Sequence, residues 1–275
     1  MAIRSTILGA GHYVPQKVVT NHDLAGMFAT SDEWIVQRTG IKERRFIEES
    51  GIGASDLAVP AAKMAIEQAG REVADVDMII FATLSPDVNF PGSGCFLGHK
   101  LGIPGVPALD VRNQCSGFLY SLSIADAWVR GGVYKNVLVV GSEVHSTGIE
   151  LADRGRDVAV LFGDGAGAAL VGEAPEGCAG VRSVVLHADG VGARDPGPRP
   201  RRATMPRLDQ AMLEAGRHYP QMNGKSVFRW ATEKMPIVAR EALDKAGVDP
   251  RRSTSSSPTK VNIQTNQMVA ARPGS

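Results

Sequence analysis

Cysteine is scarce in this chain of 275 residues, occurring only as Cys95, Cys115 and Cys178. An odd number without short spacing argues against a disulfide framework or a C-x-x-C metal site, and for a reducing compartment. Charge of one sign is not in excess either: 30 Lys and Arg stand against 29 Asp and Glu. That balance removes the usual grounds for expecting nucleic acid or an anionic membrane as the main partner. Long apolar runs are also missing, and none approaches the roughly 18 residues of a membrane span. The opening "MAIRSTILGAGHYVP" breaks at Gly9 and Pro15 before it reaches the length of a secretory core segment. The expectation is a cytoplasmic protein that holds no metal. With 43% hydrophobic residues it can bury a large core.

What is present is a series of short, β-branched apolar runs bounded by turn residues. They predict buried strands over Ser5–Leu8, Met78–Thr83, Ala108–Val111, Val137–Val140, Ala159–Phe162, Ala168–Val171 and Arg182–Leu186. Helical patterns lie between them. In "SDLAVPAAKMAIEQAG", Leu57, Ala61, Met64, Ile66 and Ala69 keep one face apolar, Ser55 or Asp56 can cap the start, and Gly70 ends it. Alternating strands and helices imply an α/β fold with a mainly parallel sheet.

The helix pattern recurs. "AAKMAIEQAG" leads into the strand "MIIFAT", and "ATEKMPIVAREALDKAG" leads towards "STSSSPTK" at 253–260. A duplicated α/β unit follows, but the second strand does not, because hydroxyl side chains, Pro258 and Lys260 cannot fill a buried strand position. Residues 191–218 begin rich in Pro, Arg and Gly and end as a short helix, which reads as an exposed insertion or a pocket lid.

Cys115 is the candidate for chemistry, against the alternative of a buried, inert thiol beside apolar residues. It follows "PALDV" and precedes "SGFLYSLSIADAWVRGG", whose Phe118, Leu119, Leu122, Ile124, Ala125 and Val129 make a mostly apolar helix. A thiol at a helix start faces unpaired N–H groups and the positive dipole end, which favour thiolate. The turn "CSG" resembles the strand–nucleophile–helix device of acyl-transfer enzymes. Backbone N–H groups there can stabilise an oxyanion. Cys95 and Cys178 lack this placement and read as structural. "GAGHYVP" lacks the third glycine of a dinucleotide site, and "FGDGAGA" (162–168) reads as a tight glycine turn without the lysine of a phosphate loop.

Five stretches together carry a resemblance: "TSDEWIVQRTGIKERR" (30–45), "CSGFLYSLSIAD" (115–126), "VLVVGSEV" (137–144), "DRGRDVAVLFGDGAGAALV" (153–171) and "MNGKSVFRWA" (222–231). In these the chain resembles the β-ketoacyl-[acyl-carrier-protein] synthase III family over residues 1–250. The resemblance implies a thiolase-like fold, with duplicated βαβαβ halves in a layered αβαβα arrangement. Residues 1–172 would form the N-terminal half with the nucleophile, and 173–275 a partial C-terminal half. It implies a homodimer that condenses an acetyl-CoA-like primer with malonyl-ACP at the start of fatty acid synthesis, with coenzyme A thioester as substrate and no resident cofactor. Cys115 matches the nucleophile. Trp34 matches the aromatic that stacks on the CoA adenine, with Arg38 beside it and Arg154 on the adenine's other side. Phe90 matches a dimer-interface aromatic of the acyl pocket.

The pattern departs in the second half. A Pro-His-Gln-x-Asn motif is expected near residue 260, and there Pro258 and Asn262 match while Thr259 stands for the histidine and Lys260 for the glutamine. Gln264 replaces an arginine, and the later asparagine-bearing loop lies beyond Ser275. The resemblance therefore implies an impaired condensation step, or a catalytically degenerate partner subunit of an intact condensing enzyme; the preserved "CSGF" counts against the latter. GC-rich codons for "VDLFIPHQ", the kind of run the family has there, read one base late give "STSSSPTK", so a local frameshift over 253–260 is the hypothesis. Sequencing the gene across those codons tests this, and a conventional open frame there would end the idea.

Overall fold

The computed structural model describes residues 3–191 and 208–249. Pro258, Thr259, Lys260, Asn262 and Gln264 lie outside the described residues, as does most of the Pro/Arg-rich insertion. In chain order the elements are β1 (Ser5–Tyr13), β2 (Lys17–Thr20), α1 (Asn21–Ala25), α2 (Asp32–Thr39), β3 (Glu43–Phe46), α3 (Ala54–Gln68), β4 (Met78–Ala82) and α4 (Ser93–Lys100). There follow β5 (Ala108–Val111), α5 (Gly117–Arg130), β6 (Asn136–Glu143), α6 (Arg156–Ala159), β7 (Gly165–Glu173), α7 (Gln210–Glu214) and α8 (Gly224–Ala246). β2 and β3 pair in a small two-stranded sheet. The chain forms two compact units: one from the residues up to Val18, Arg45–His145 and Gly163–Val184, the other from Val19–Arg44, Ser146–Phe162 and the described residues from Val185 on.

The first unit is an α/β/α layer built on a five-stranded sheet of order β1-β7-β6-β4-β5. β4 runs parallel to β5 and β6, while β7 is antiparallel to β6 and β1. The sheet is therefore mixed rather than mainly parallel. Every residue of β4 is buried, as its unbroken apolar run requires when both faces are covered. Its side chains alternate: Ile79 and Phe81 pack with Leu57, Ala61 and Leu97 on the α3 and α4 side, while Met78 and Ile80 pack with Ala125 and Val129 of α5. Each such fully buried side chain contributes about 1.5–3 kcal/mol.

The "GAG" of β1 is a packing device and not a phosphate loop. A side chain at Gly9 would run into the Ala65 carbonyl, and one at Gly11 into the Ala61 carbonyl, so the missing Cβ atoms let α3 lie directly on the strand. The cap of α3 differs from expectation. Gly53 is the N-cap residue, with its N–H on Asp56 Oδ2 at 2.9 Å, while Ser55 is the buried second residue of the helix and donates its Oγ to Asp87. Met64 is 44% exposed and leaves the apolar face, because its position turns past the sheet.

Two predicted strands are absent. Residues 159–162 end α6 and turn, with Leu161 N–H on the Val158 carbonyl, since a short apolar run cannot by itself separate strand from buried helix. Residues 182–186 run on from one bond, Val181 N–H to the Ser5 carbonyl, without forming a strand. Cys95 and Cys178 are exposed, so neither serves the core.

In the second unit a buried arginine organises the short elements. Arg44 is 6% exposed and donates to the Val19 and Val160 carbonyls at 3.1 and 3.3 Å and to Asn21 Oδ1 at 2.7 Å. Asn21 in turn donates to Asp32 Oδ1 and the Ile41 carbonyl, both at 2.8 Å. These bonds tie the starts of α1 and α2 to the end of α6 and satisfy most of a side chain that would be costly to bury unpaired. No helix among the described residues is long and apolar enough to cross a membrane.

Candidate active site

Cys115 sits in a 3₁₀ turn, Gln114–Ser116, between the end of β5 and the start of α5. Gln114 has φ of 39°, left-handed backbone in a non-glycine residue, so the sharp bend is made one residue ahead of the "CSG" that suggested it. Asn113 Nδ2 donates to Ser116 Oγ at 3.2 Å, and Ser116 Oγ donates to the Asn113 carbonyl at 3.2 Å, closing the turn on itself. Gly117 then packs on the end of β4, where a Cβ would stand 3.1 Å from the Ala82 Cβ. A strained turn pinned on both sides presents the thiol at the carboxyl end of the sheet.

The electrostatics correct a simple dipole argument. Cys115 is exposed on one side, yet burial of the rest of its surroundings is the largest influence and raises the thiol above its ordinary value. A backbone N–H of Cys115 acts in the opposite sense, and the Glu143 carboxylate adds to the rise. The resting group is therefore a thiol, and its proton must leave when sulfur attacks.

Glu143, at the end of β6, gave no signal in the sequence beyond its place in "VLVVGSEV". Its carboxylate accepts from Leu84 N–H at 2.9 Å, Ser85 N–H at 3.1 Å, Ser85 Oγ at 2.6 Å and Thr83 Oγ1 at 3.2 Å. Val144 N–H donates back to Ser85 Oγ at 2.8 Å, and His145 Nε2 lies 3.8 Å from Glu143 Oε2. Thr83 N–H also bonds the Val111 carbonyl at 3.2 Å, so one carboxylate links the ends of β6 and β4 beside the strand end that leads to Cys115.

The loop after Ser85 is anchored as well. Asp87 accepts from Ser55 Oγ at 2.6 Å and its own N–H bonds Ser93 Oγ at 3.1 Å, while Asp110 holds the N–H groups of Ser93 and Gly94 at 2.6 and 2.9 Å. Phe90 projects from this fixed loop at 85% exposure. The "FGDGAGA" stretch turns only over its first residues: Asp164 is buried, accepts from Ile47 N–H at 2.7 Å, and β7 begins at Gly165.

In the second unit Trp34 is half-buried on α2, which Ser31 caps by accepting Trp34 N–H at 3.1 Å. Two guanidinium groups stand over the indole: Arg38, one helical turn on, at 4.4 Å and Arg156, the first residue of α6, at 4.7 Å from the ring centre. Both separations fall in cation–π range. Arg154 is engaged elsewhere. Its Nε and Nη2 grip the Glu150 carboxylate at 2.9 and 2.5 Å, and its Nη1 donates to the Glu214 carbonyl at 3.3 Å. The structure thus brings together Trp34 and Arg38 as expected, with Arg156 added and Arg154 turned to Glu150. Thr30 Oγ1 is buried without a hydrogen-bond partner among the described residues, and Arg156 Nε lies 3.7 Å from Asp157 Oδ1.

Residues 109–190, which include Cys115 and its turn, match the family described as 3-oxoacyl-[acyl-carrier-protein] synthase III. The β-ketoacyl-[acyl-carrier-protein] synthase III of Caldanaerobacter subterraneus subsp. tengcongensis is 44% identical over 248 residues, 90% of this chain and 73% of that protein. Synthase III 1 of Bacillus cereus is 41% identical over 266 residues, covering 97% and 79% respectively. Among solved structures, the synthase III of Thermus thermophilus superposes with a TM-score of 0.85 at 38% identity, over 98% of this chain and 81% of that one. That of Aquifex aeolicus VF5 gives 0.82 at 36% identity, over 97% and 80%.

Proposed function

The chain belongs to the β-ketoacyl-[acyl-carrier-protein] synthase III family, and from that premise we propose that it is a thiolase-fold acyltransferase that joins an acyl-CoA primer to malonyl-ACP through an acyl-Cys115 intermediate. The observation that carries this reading is the thiol itself, held on a strained strand-to-helix turn with solvent access. Cys115 Sγ attacks the thioester carbonyl, the carbonyl–sulfur bond to CoA breaks, and CoA leaves as a thiol with the proton that Cys115 gives up. Decarboxylation of malonyl-ACP then releases CO2 and leaves an enolate, which attacks the acyl carbon. The bond to Cys115 breaks, and its thiolate takes a proton from water. The reading needs no resident cofactor.

Trp34 and Arg38 bind the nucleotide end of CoA in this reading, because a flat aromatic beside a guanidinium suits a purine. Phe90, exposed on an anchored loop, serves the contact with a second copy of the chain. The division into halves at residues 172 and 173 rests on the recurring helix pattern. The second half-reaction is weak, because Thr259 stands where the histidine expected to hold the enolate would be.

Intact-protein mass spectrometry after incubation with acetyl-CoA tests the first step. One acetyl adduct is expected on the parent chain and none on Cys115→Ala. A parent chain that stays unmodified while intact acetyl-CoA remains in solution would overturn the acyltransfer reading and favour a degenerate partner subunit.

A further inference from the structure

Glu143 and His145 stand two residues apart where β6 ends, and strand alternation decides which way they face. In β6, Val137 and Val139 pack with Ala125 and Val129 of α5, while Leu138, Val140 and then Val144 pack on the α3 side. Ser142 keeps to the α3 side too, its Oγ donating to the Ala54 carbonyl at 2.7 Å. The alternation therefore runs through the strand end and puts Glu143 and His145 on the α5 side. Cys115 comes to the same side. Gly117, two residues on, packs against Ala82 of β4, and Ala82 is in register with Gly141 of β6. A Cβ at Gly141 would meet nothing within 4 Å, so the α5 face of this strand end is open next to the turn that bears the thiol. The Glu143 charge reaches the sulfur: after burial, it is the other influence that raises the Cys115 thiol.

The two side chains differ in what they can still do. Glu143 already accepts from Leu84 N–H, Ser85 N–H, Ser85 Oγ and Thr83 Oγ1, which fills its oxygens and makes it a fixed charge. His145 Nε2 lies 3.8 Å from Glu143 Oε2, and the two side chains are 24% and 28% exposed. An N–H on Nε2 facing the carboxylate leaves the Nδ1 lone pair to take a proton, and the imidazolium so formed faces a negative group. Resting on the reading of Cys115 as acyl acceptor, we propose that His145 takes the Cys115 proton as sulfur attacks the CoA thioester and returns it to the departing CoA. The S–H bond of Cys115 breaks and an N–H bond forms on His145. The thiolate bonds to the acyl carbon, the carbonyl–sulfur bond to CoA breaks, and the imidazolium proton passes to that sulfur. Glu143 is a positioning residue, which orients the ring and offsets its charge between the two transfers.

The test follows single-turnover acetylation of Cys115 by quenched intact-protein mass spectrometry over a range of acetyl-CoA concentrations. It compares the parent, His145→Gln, His145→Ala, and Glu143→Gln alone and combined with His145→Ala. His145→Gln is expected to slow acetylation at saturation about a hundred-fold with the half-saturating concentration unchanged, as loss of a general base does and loss of a binding contact does not. Added imidazole should raise the rate of His145→Ala about ten-fold or more, which a packing role would not allow. Glu143→Gln should slow the parent but speed His145→Ala, where repulsion of the thiolate is all that the carboxylate still does. Thermal melts confirm that each variant is folded, and His145→Gln carries the result should His145→Ala unfold. Acetylation of His145→Gln at the parent rate, or a loss in folded His145→Ala that imidazole does not restore, overturns the inference while leaving acyl transfer intact. An effect of Glu143→Gln with the same sign in both backgrounds overturns the part given to Glu143. A parent chain that takes no acetyl group removes the acyltransfer reading, and the role of His145 with it.

Discussion

Helices α3 and α8 share a plan. Each carries an internal proline, Pro60 or Pro236, and each is followed by a glycine in left-handed backbone, Gly70 at 63° and Gly247 at 64°. Their circumstances are opposite. Along α3, Ala54, Leu57, Ala58, Ala61, Ala62, Ala65 and Ile66 are buried against the sheet. Along α8 Thr232 alone is buried, and Val227 and Ile237 are 50% and 60% exposed. What comes next in the sequence differs as well. After α3 comes β4, buried along its whole length, whereas "STSSSPTK" follows α8. An amphipathic helix gains most of its stability from the surface it packs on, so the same local pattern gives a core element in one place and a helix buried at one residue in the other.

The largest effect should come from the finished layer. Phe81→Ala removes a fully buried side chain from β4 and is expected to cost about 3–5 kcal/mol in urea unfolding. A loss below about 1 kcal/mol would mean the sheet is not the stabilising body described here.

Next comes the second half's chemistry. Restoring Thr259→His together with Lys260→Gln is expected to raise condensation about a hundred-fold, with Cys115 acylation kept at the parent rate. No gain in ketoacyl product would show that a different deficit limits this half.

A smaller effect concerns the thiol. Burial first, and Glu143 after it, raise Cys115 above its ordinary value. The neutral thiol is therefore favoured, and alkylation by iodoacetamide should accelerate with pH through a midpoint above that of a free cysteine. Removing the negative charge with Glu143→Gln should move that midpoint down. A parent midpoint at or below that of free cysteine would mean that the helix start outweighs burial.

Least of all, Ile237→Ala on α8 should change stability by no more than about 0.5 kcal/mol, as exposed positions do. A loss approaching that of Phe81→Ala would break the comparison, because it would require a covering surface over α8.

The core of the first unit was legible because its strands are contiguous apolar runs between turn residues, and β4 and β5 begin where the pattern begins. The run at 159–162 misled for the same reason, since hydrophobicity alone does not distinguish a buried strand from the end of a short buried helix. The direction of β7 could not be read, because an apolar strand carries no mark of which way its neighbours run. Cys115 was legible from its position between strand and helix. The rise of its thiol was not, because that depends on how much protein surrounds the sulfur and on a carboxylate from β6.

Trp34 and Arg38 are a turn apart on α2, so helical periodicity alone puts them on one face. The sequence by itself thus determined the place of Cys115 between strand and helix, the tryptophan with its helical neighbour, and the apolar strands of the layer, all of which depend on local order along the chain. Which arginine of "DRGRD" meets Trp34 was decided only by the tertiary structure. The 3₁₀ turn at Asp153–Gly155 and the start of α6 point Arg154 and Arg156 in different directions, and the fold alone determines which of those directions the indole occupies.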